Sequence, residues 1–510
     1  MVFRRILIAN RGEIAIRVAR TCREGGIHAI GVFSTADRDA LHRRHMDESH
    51  EIGPAPAAES YLNMSRILAV ARETGAEAIH PGYGFLSESP AFSKRCEEEG
   101  IVFIGPGPAA MAKSGDKLGA KAAMRAAGVA GTPGSDAVRS EEEARAAARD
   151  IGLPVILKAA GGGGGIGMQV VHRQDEIGRA FRLAQSAAVA AFGDPTLFVE
   201  KFHRHPRHIE VQVLLDRHGG AVHLGERECS IQRRHQKLIE ESPSPAIGPR
   251  TRNKIGELAV RGLQSIGYVN AGTVEFLSAG GKFYFNEVNA RLQVEHTVTE
   301  MVTGLDLVRE QIRIAAGERL GPHVEHAKIH GWAIECRINA EDPTANFAPS
   351  PGRVTRYHEP GGPGVRVDSG IAQGSNVLAF YDPLVAKVIA HGRTREDAVA
   401  RLHRAVREFV IEGIATVLPL HKRILTDEAF RKGELATTFL EDRGILAAMM
   451  TEREDEVAAI AAALAASPAL AAHLRPRLEL RSTTPSRWAL AGRIGGGDDA
   501  AAARGRRKGA

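Results

Sequence analysis

The sequence predicts an α/β protein built on parallel strands. Three observations lead there. Strand and helix patterns alternate through the first hundred residues, a glycine run lies between two strand patterns, and an alternating hairpin further on carries carboxylates. Arg5–Asn10 reads as a strand, Glu13–Arg23 as a helix and His28–Ser34 as a second strand. YLNMSRILAVARETG, AEAIHPG, SPAFSKRCEEEG and IVFIGP continue the βαβ pattern. The turn Asn10-Arg11-Gly12-Glu13 opens a helix and could hold an anion at its N-terminus. It is not GxGxxG, and Asp37 reads as a loop aspartate.

From about Gly131 to Glu200 comes a smaller α/β segment. SEEEARAAARDIG reads as a helix, LPVILKAA as a strand, IGMQVV as a strand and DEIGRAFRLAQSAAVAAFG as a helix. The run Gly161–Gly165 joins the two strands. A helix does not follow it and GK[ST] is missing, so it is neither a Rossmann turn nor a Walker A loop. Such a loop is a flap that can close backbone N–H groups over phosphates, and Lys158 just before it fits that use. TLFVEKF and RHIEVQVLLD are strands, and AVHLGERECSIQRRHQKLIEE follows, with Arg233, Arg234, His235, Gln236 and Lys237 clustered. Gly304–Gly317 reads as a helix, and Gly331 to Leu440 as a β-rich unit ending in helices. Beyond Gly444 the chain turns Ala- and Arg-rich. Glu452–Ala472 is a possible helix, and the last twenty residues are expected to be disordered.

Composition sets outer bounds. The 510 residues are 43% hydrophobic and 25% charged, with net charge +6 and pI about 9.2. A diffuse basic balance suits anionic substrates. No basic patch interleaved with aromatics points to nucleic acid. Cys22, Cys96, Cys229 and Cys336 form no CxxC pair, which excludes a zinc or redox motif and fits a reducing, cytosolic compartment. No apolar stretch reaches the length of a membrane span, and MVFRRILIANRGE is too short in apolar residues for a signal peptide.

The most informative stretch is KFYFNEVNARLQVEHTVTE, from Lys282 to Glu300. Glu287 and Asn289 lie two apart on one strand face, and Arg291, Gln293, Glu295 and His296 follow. Just upstream, GTVEFL supplies Glu275 on a neighbouring strand. Two carboxylates and an amide oxygen are hard ligands, suited to Mg²⁺ or Mn²⁺. A three-residue Ala279-Gly280-Gly281 loop would pair Ser278 with Lys282 and Glu275 with Phe285. Glu275, Glu287 and Asn289 then share a face. A loop of all four residues from Ser278 would put Glu287 on the other face. An arginine beside such a metal can hold a small planar oxyanion bidentately.

Taken in order, IANRGEIAIR, AIHPGYGFLSE, FIGP, GDK, ILKAAGGGGG, ERECSIQRRHQK, AGTVEFL, NEVNARLQVEH, TEMVTGLDLV and ECRINAEDP resemble the biotin carboxylases of the ATP-grasp superfamily, from near Met1 to about Leu446. QRRHQK together with RLQVEH and ECRINAEDP carries most of the specificity. The resemblance implies an N-terminal βαβ domain at 1–115, an ATP-grasp domain at 116–330 with a mobile lid at about 131–203, a C-terminal β-rich domain at 331–446 and a tail at 447–510. It implies that ATP and bicarbonate form carboxyphosphate, whose CO₂ carboxylates N1′ of biotin.

In that family pattern Lys117 and Lys158 contact the ATP phosphates, and the flap with Gly163, Gly164 and Gly165 closes over them. Glu200, Lys201, His208, Gln232 and His235 contact the nucleotide. Glu275, Glu287 and Asn289 hold Mg²⁺ or Mn²⁺. Arg291, Gln293 and Val294 seat bicarbonate near Lys237, Glu295 is the general base, and Arg337 stabilises the biotin enolate. A plainer reading makes Arg337 an ion-pair partner of Glu335 or Glu341. The pattern departs at Ile166, where a basic residue is common, at Ala290 and Thr297, and at the unusually polar Asn286.

No AMKM-like segment follows, so the resemblance is to a biotin carboxylase that stands alone and not to a fused carboxylase. Biotin would then arrive on a separate carrier protein, the biotin carboxyl carrier protein. A separate carboxyltransferase would be the second partner, and a homodimer the assembly. The transferase chooses the acceptor: acetyl-CoA, propionyl-CoA, pyruvate or 2-oxoglutarate. Two alternatives stand beside this one, another ATP-grasp ligase and a catalytically silent regulatory component.

Overall fold

The computed structural model describes residues 3–160 and 167–466. Expectations placed on Gly163, Gly164, Gly165 and Ile166, and on the last twenty residues, lie outside them. Residues up to Met449 belong to one compact unit and those from Met450 to another. In the second, the described part is the end of the helix Ile445–Ala466, with Val457 and Ile460 exposed. That helix starts seven residues before the Glu452 expected for it.

The first unit opens with a parallel sheet. Strands β1 (Arg5–Ile8), β2 (His28–Phe33), β3 (Glu48–Glu51), β4 (Ala78–His80) and β5 (Val102–Phe103) lie in the order β3-β2-β1-β4-β5. The central strand is a continuous apolar run because helices cover both faces. Helix α1 (Gly12–Glu24) repeats apolar residues at helical spacing and buries Ile14, Ala15, Val18, Ala19 and Cys22. Helices α2 (Met64–Glu73) and α3 (Pro90–Glu98) complete the crossovers. The short edge strand β3 reads ESHE, too polar to announce itself by pattern.

Asp37 lies in the β2–β3 connection, as the loop reading has it. It closes a short 3₁₀ turn and is buried, accepting from Arg11 Nε at 2.6 Å, Arg11 Nη2 at 2.7 Å and Tyr61 Oη at 2.6 Å. Arg11 is held by Asp37, and the first turn of α1 carries its own buried acid, Glu13.

Helices α4 (Pro108–Gly115) and α5 (Lys117–Ala126) lead to the lid segment. Here α6 (Glu141–Ile151) and α7 (Ile177–Phe192) pack on a sheet ordered β7-β6-β8, made of β6 (Val155–Ala159), β7 (Gln169–Val171) and β8 (Leu197–Lys201). Its core is a cluster of its own, including Val138, Leu157, Phe181 and Val199. At its start the Phe285 amide donates to the Ala130 carbonyl at 2.7 Å.

The main sheet has eight strands. Strands β9 (Arg207–Leu215), β10 (Ala221–Arg233) and β11 (Gln236–Ser242) are antiparallel, and α8 (Pro249–Ser265) leads to the hairpin β12 (Asn270–Ala279) and β13 (Lys282–Asn289). Next come α9 (His296–Thr303), which the sequence pattern did not announce, and α10 (Leu307–Ala315). The residues Gly304 to Asp306, expected in the second helix, are the cap of the first and the N-cap of the next. Strands β14 (Trp332–Asn339), β15 (Val365–Ser369) and β16 (Leu384–Gly392) complete the order β13-β12-β9-β10-β11-β14-β16-β15. The sheet therefore runs unbroken past residue 331.

The expected hairpin register is corrected as well. Ala279 pairs with Lys282, so the loop is the two residues Gly280-Gly281 and not three. Both glycines are left-handed, at φ +56° and +75°, as a tight two-residue hairpin requires. Left regular, that register would put Glu275 opposite Asn286. Instead the ladder shifts after Phe276–Phe285, and Glu275 pairs with Glu287. Asn286 is the extra residue of this bulge, which turns Glu287 to the Glu275 face.

A Cβ at Gly280 would meet open space, so a substitution there acts through backbone strain alone. Gly280→Val is expected to cost about 1–2 kcal/mol and Gly280→Asn a fraction of that. The midpoint of urea unfolding for the two variants checks it.

Candidate active site

The hairpin register builds a row of acids. Glu287 on β13 pairs with Glu275 on β12, which pairs with Glu210 on β9, which pairs with Arg227 on β10. Like charges directly opposite destabilise a sheet. Buried cations compensate. Arg227, fully buried, donates to Glu210 at 3.2 and 3.3 Å, to Gln212 at 2.8 Å, and to Thr273 and Thr299 at 3.1 Å. It also bonds the Gln293 side-chain oxygen. Lys237 Nζ contacts Glu210, Glu275 at 3.0 Å and Glu295 at 2.6 Å. Gln232 donates to His208 Nδ1 at 2.7 Å, which leaves Nε2 facing Glu275 Oε2 at 2.9 Å. Gln293 and Asn289 donate to Glu275 Oε1 at 3.1 and 2.8 Å.

Charge is distributed unevenly along the row. Burial alone would raise the Glu275 pKa, but Lys237 and His208 hold it well below the usual carboxylate range. Burial and the charge of Glu275 push Glu287 upwards. The Glu287 carboxylate has no hydrogen bond or ion pair with any described residue. A carboxylate beside another, with an amide two residues on, fits a divalent cation, which would relieve the repulsion. The amide oxygen of Asn289 already accepts from Arg291 Nη2 at 2.9 Å, which ties the metal side to the arginine.

Arg291 is fixed from behind. Glu88 accepts from Arg291 Nε and from the Ala290 amide, both at 3.0 Å. Glu295 stands at the N-cap position of α9, its carboxylate turned away from the helix to Lys237 and Arg337. Its carboxylate is held far below the usual range: burial opposes this, but Lys237 and Arg337 outweigh it. Arg337 Nη2 donates to Glu295 at 2.9 Å and Arg337 Nε to Glu240 at 2.5 Å. The acids hydrogen-bonded to Arg337 are thus Glu240 and Glu295, and the pairing with Glu335 or Glu341 is corrected.

At the lid side, Glu200 is buried between Lys121 and Lys158, the latter at 2.7 Å. Lys117, in the first turn of α5, lies in the field of Glu287; burial lowers its pKa. Lys201 points elsewhere, donating to the Gly152 and Leu153 carbonyls at 2.8 and 2.9 Å. His235 is exposed at the β10–β11 turn, where it and Arg234 adopt φ +67° and +47°. Two non-glycine residues in the left-handed region store strain at this tip. The Val294 carbonyl accepts from Lys387 at 2.8 Å.

Several of these residues escaped the sequence reading. Glu210 and Gln212 alternate with Ile209, Val211 and Val213, a visible period-two signal on the face of His208. Glu88 ends the AIHPGYGFLSE motif, and Lys121 follows Lys117 by one helical turn. For Arg227 and Glu240 no pattern distinguishes them from surface charges.

Matches to known proteins cover the same ground. Residues 2–111 match the biotin carboxylase N-terminal domain, 116–323 the ATP-binding domain of the carbamoyl-phosphate synthase L chain, and 335–442 the biotin carboxylase C-terminal domain. The biotin carboxylase of Pseudomonas aeruginosa is 52% identical over 441 residues, 86% of this chain and 98% of that one. The chain belongs to the biotin carboxylase family. Biotin carboxylase 1 of Bacillus subtilis is 49% identical over 448 residues, 87% of this chain and 100% of that one. The biotin carboxylase domain dimer of the Hydrogenobacter thermophilus 2-oxoglutarate carboxylase, solved with MgADP, ADP and bicarbonate, superposes with a TM-score of 0.84 at 46% identity, covering 88% of this chain and 99% of that one. ATP-dependent carboxylation of biotin is the reaction of this family member, with ATP and Mg²⁺ as its cofactors. No helix among the described residues is long and apolar enough to cross a membrane.

One buried acid should show in solution. Burial raises Glu335 to about 8, against partial relief from Lys387. A raised value means that the folded state binds the proton more tightly than the unfolded chain. The stabilisation is present below the ordinary 4.5 and is lost as pH rises through about 8. Glu335→Gln should flatten the fall in stability across that window, read by urea unfolding at stepped pH.

Proposed function

We propose that this chain is the biotin carboxylase component of a multisubunit carboxylase, with the acid row as its metal–nucleotide site and the Arg291–Glu295 loop as its bicarbonate site. The observation behind this is the single cluster joining Glu275, Lys237, Glu295 and Arg337 through contacts of 2.6 to 3.0 Å. Glu275, Glu287 and the Asn289 amide oxygen would hold Mg²⁺ or Mn²⁺, which when bound offsets the charge of transferring phosphate. Lys117 and Lys158 would meet the phosphates, with Lys158 leaving Glu200 to do so. His208, Gln232, His235 and Glu200 line the nucleotide side by the family pattern, under a mobile lid at about 131–203; Lys201, whose ammonium is turned to Gly152 and Leu153, would join them through its backbone.

Arg291, Gln293 and Val294 would seat bicarbonate near Lys237. Glu295 is ionised at neutral pH but a weak base while Lys237 and Arg337 hold it. An arriving anion shares those cations and so raises its basicity. Arg337, released in part from Glu295, then faces the biotin enolate as a fixed guanidinium. We keep the division into 1–115, 116–330, 331–446 and 447–510, and infer a cytoplasmic homodimer working with a biotin carrier protein and a carboxyltransferase. Relatives named as biotin carboxylases along nearly their whole length, and a neighbour solved as a domain dimer, support this.

The direct test is bicarbonate-dependent ADP release in the presence of free biotin. Arg291→Ala should keep nucleotide affinity and lose about 2–4 kcal/mol of barrier lowering in biotin carboxylation. Glu295→Gln should lose a similar amount with an altered pH profile, read by steady-state kinetics with each substrate varied in turn. Near wild-type turnover by Arg291→Ala would sink the bicarbonate assignment. Glu287→Gln keeps the shape and removes a charge, so Mg²⁺ affinity should fall in calorimetric titration.

A further inference from the structure

Lys387 on β16 is completely buried, yet the chemistry above leaves it without a role. It stands opposite Arg337 on β14 and opposite Asp368 on β15. Its ammonium donates to the Val294 carbonyl at 2.8 Å, lies 3.3 Å from Glu13 on α1, and sits 5.8 Å from the centre of the Tyr83 ring. Two neighbouring cations on adjacent strands thus hold consecutive residues: Arg337 takes the Glu295 carboxylate and Lys387 the Val294 carbonyl. Just before, the Gln293 carbonyl is held by His296 Nδ1 at 2.7 Å. Both peptide planes between Gln293 and Glu295 are therefore pinned through their oxygens. The shorter contact of the ammonium is to the carbonyl, at 2.8 Å, with the Glu13 carboxylate further off at 3.3 Å.

We propose that Lys387 is a positioning residue for bicarbonate, fixing the Val294–Glu295 peptide so that the anion seat and the base keep their mutual angle. The ammonium touches neither substrate nor metal ligand. It transmits the position of the C-terminal strands and of α1 to the loop. Burial favours the neutral amine, but neighbouring acids, Glu13 first and Asp368 among them, keep the group charged. The proposal rests on the placement of bicarbonate at Arg291, Gln293 and Val294.

The test compares Lys387→Met, Glu13→Gln and the double variant. Lys387→Met strands buried carboxylates and loses stability. The double variant removes the Glu13 charge as well and keeps the test usable where the single variant does not fold. Lost positioning predicts a bicarbonate KM about tenfold higher in both Lys387 variants, with the ATP KM within about twofold of wild type. Glu13→Gln, which retains the bond to Val294, should leave the bicarbonate KM within about twofold. A double variant with wild-type bicarbonate KM overturns the proposal, as does a Glu13→Gln defect equal to that of the double variant. Arg291→Ala serves as the control. If it leaves the bicarbonate KM unchanged, the bicarbonate placement itself fails; if it raises the KM while the double variant does not, only the role of Lys387 fails.

Discussion

Three carboxylates lie directly opposite one another across adjacent strands, and the site is organised around that repulsion. Glu287, Glu275 and Glu210 occupy one row of the main sheet, two of them with little access to water. Such a row stands only where cations are buried with it. Arg227 and Lys237 supply that charge, and His208 adds a donor. The compensation stops short of Glu287, at the end of the row. A divalent cation is the counter-charge proposed there, and the row that strains the fold would then select its ligand.

The same cations serve a second purpose. Lys237 bridges the acid row and Glu295, and Arg337 links Glu295 to Glu240. Because these contacts share partners, charge added at one end alters basicity at the other. An anion beside Arg291 weakens the hold on Glu295, and a cation at Glu287 weakens the claim of Glu275 on Lys237. Under the function proposed above, substrate binding would turn a quiet carboxylate into a base.

Such sharing requires hairpin and C-terminal strands in one sheet. Arg337 is more than sixty residues from Glu275 in sequence, but β14 pairs with β11, which carries Lys237. Helix α9 starts at His296 and points Glu295 back at the sheet. The lid, by contrast, keeps its own core and meets the body at Ala130–Phe285, through the Glu200–Lys121 ion pair and where His203 stacks on Tyr284. Rigid chemistry and a separately packed cover follow from where the apolar residues were placed.

The sequence by itself determined the parallel N-terminal sheet, the lid elements around LPVILKAA and IGMQVV, and the hard donor types carried by Glu275, Glu287 and Asn289. Apolar period, turn residues and donor type are local properties, written residue by residue. It also predicted that these three groups share a face, but for the wrong reason. A two-residue turn and a bulge at Asn286 accomplish what a three-residue turn was expected to do, because loop length and ladder slip trade against each other and leave the same pattern. Only the tertiary structure decided that Glu210 extends the row, that Arg227 and Glu240 are buried partners and not surface charges, and that Asp37 and Glu13 are occupied by Arg11 and Lys387. Those facts depend on which distant strands pair, and a charged residue reads alike in sequence whether it faces water or the interior.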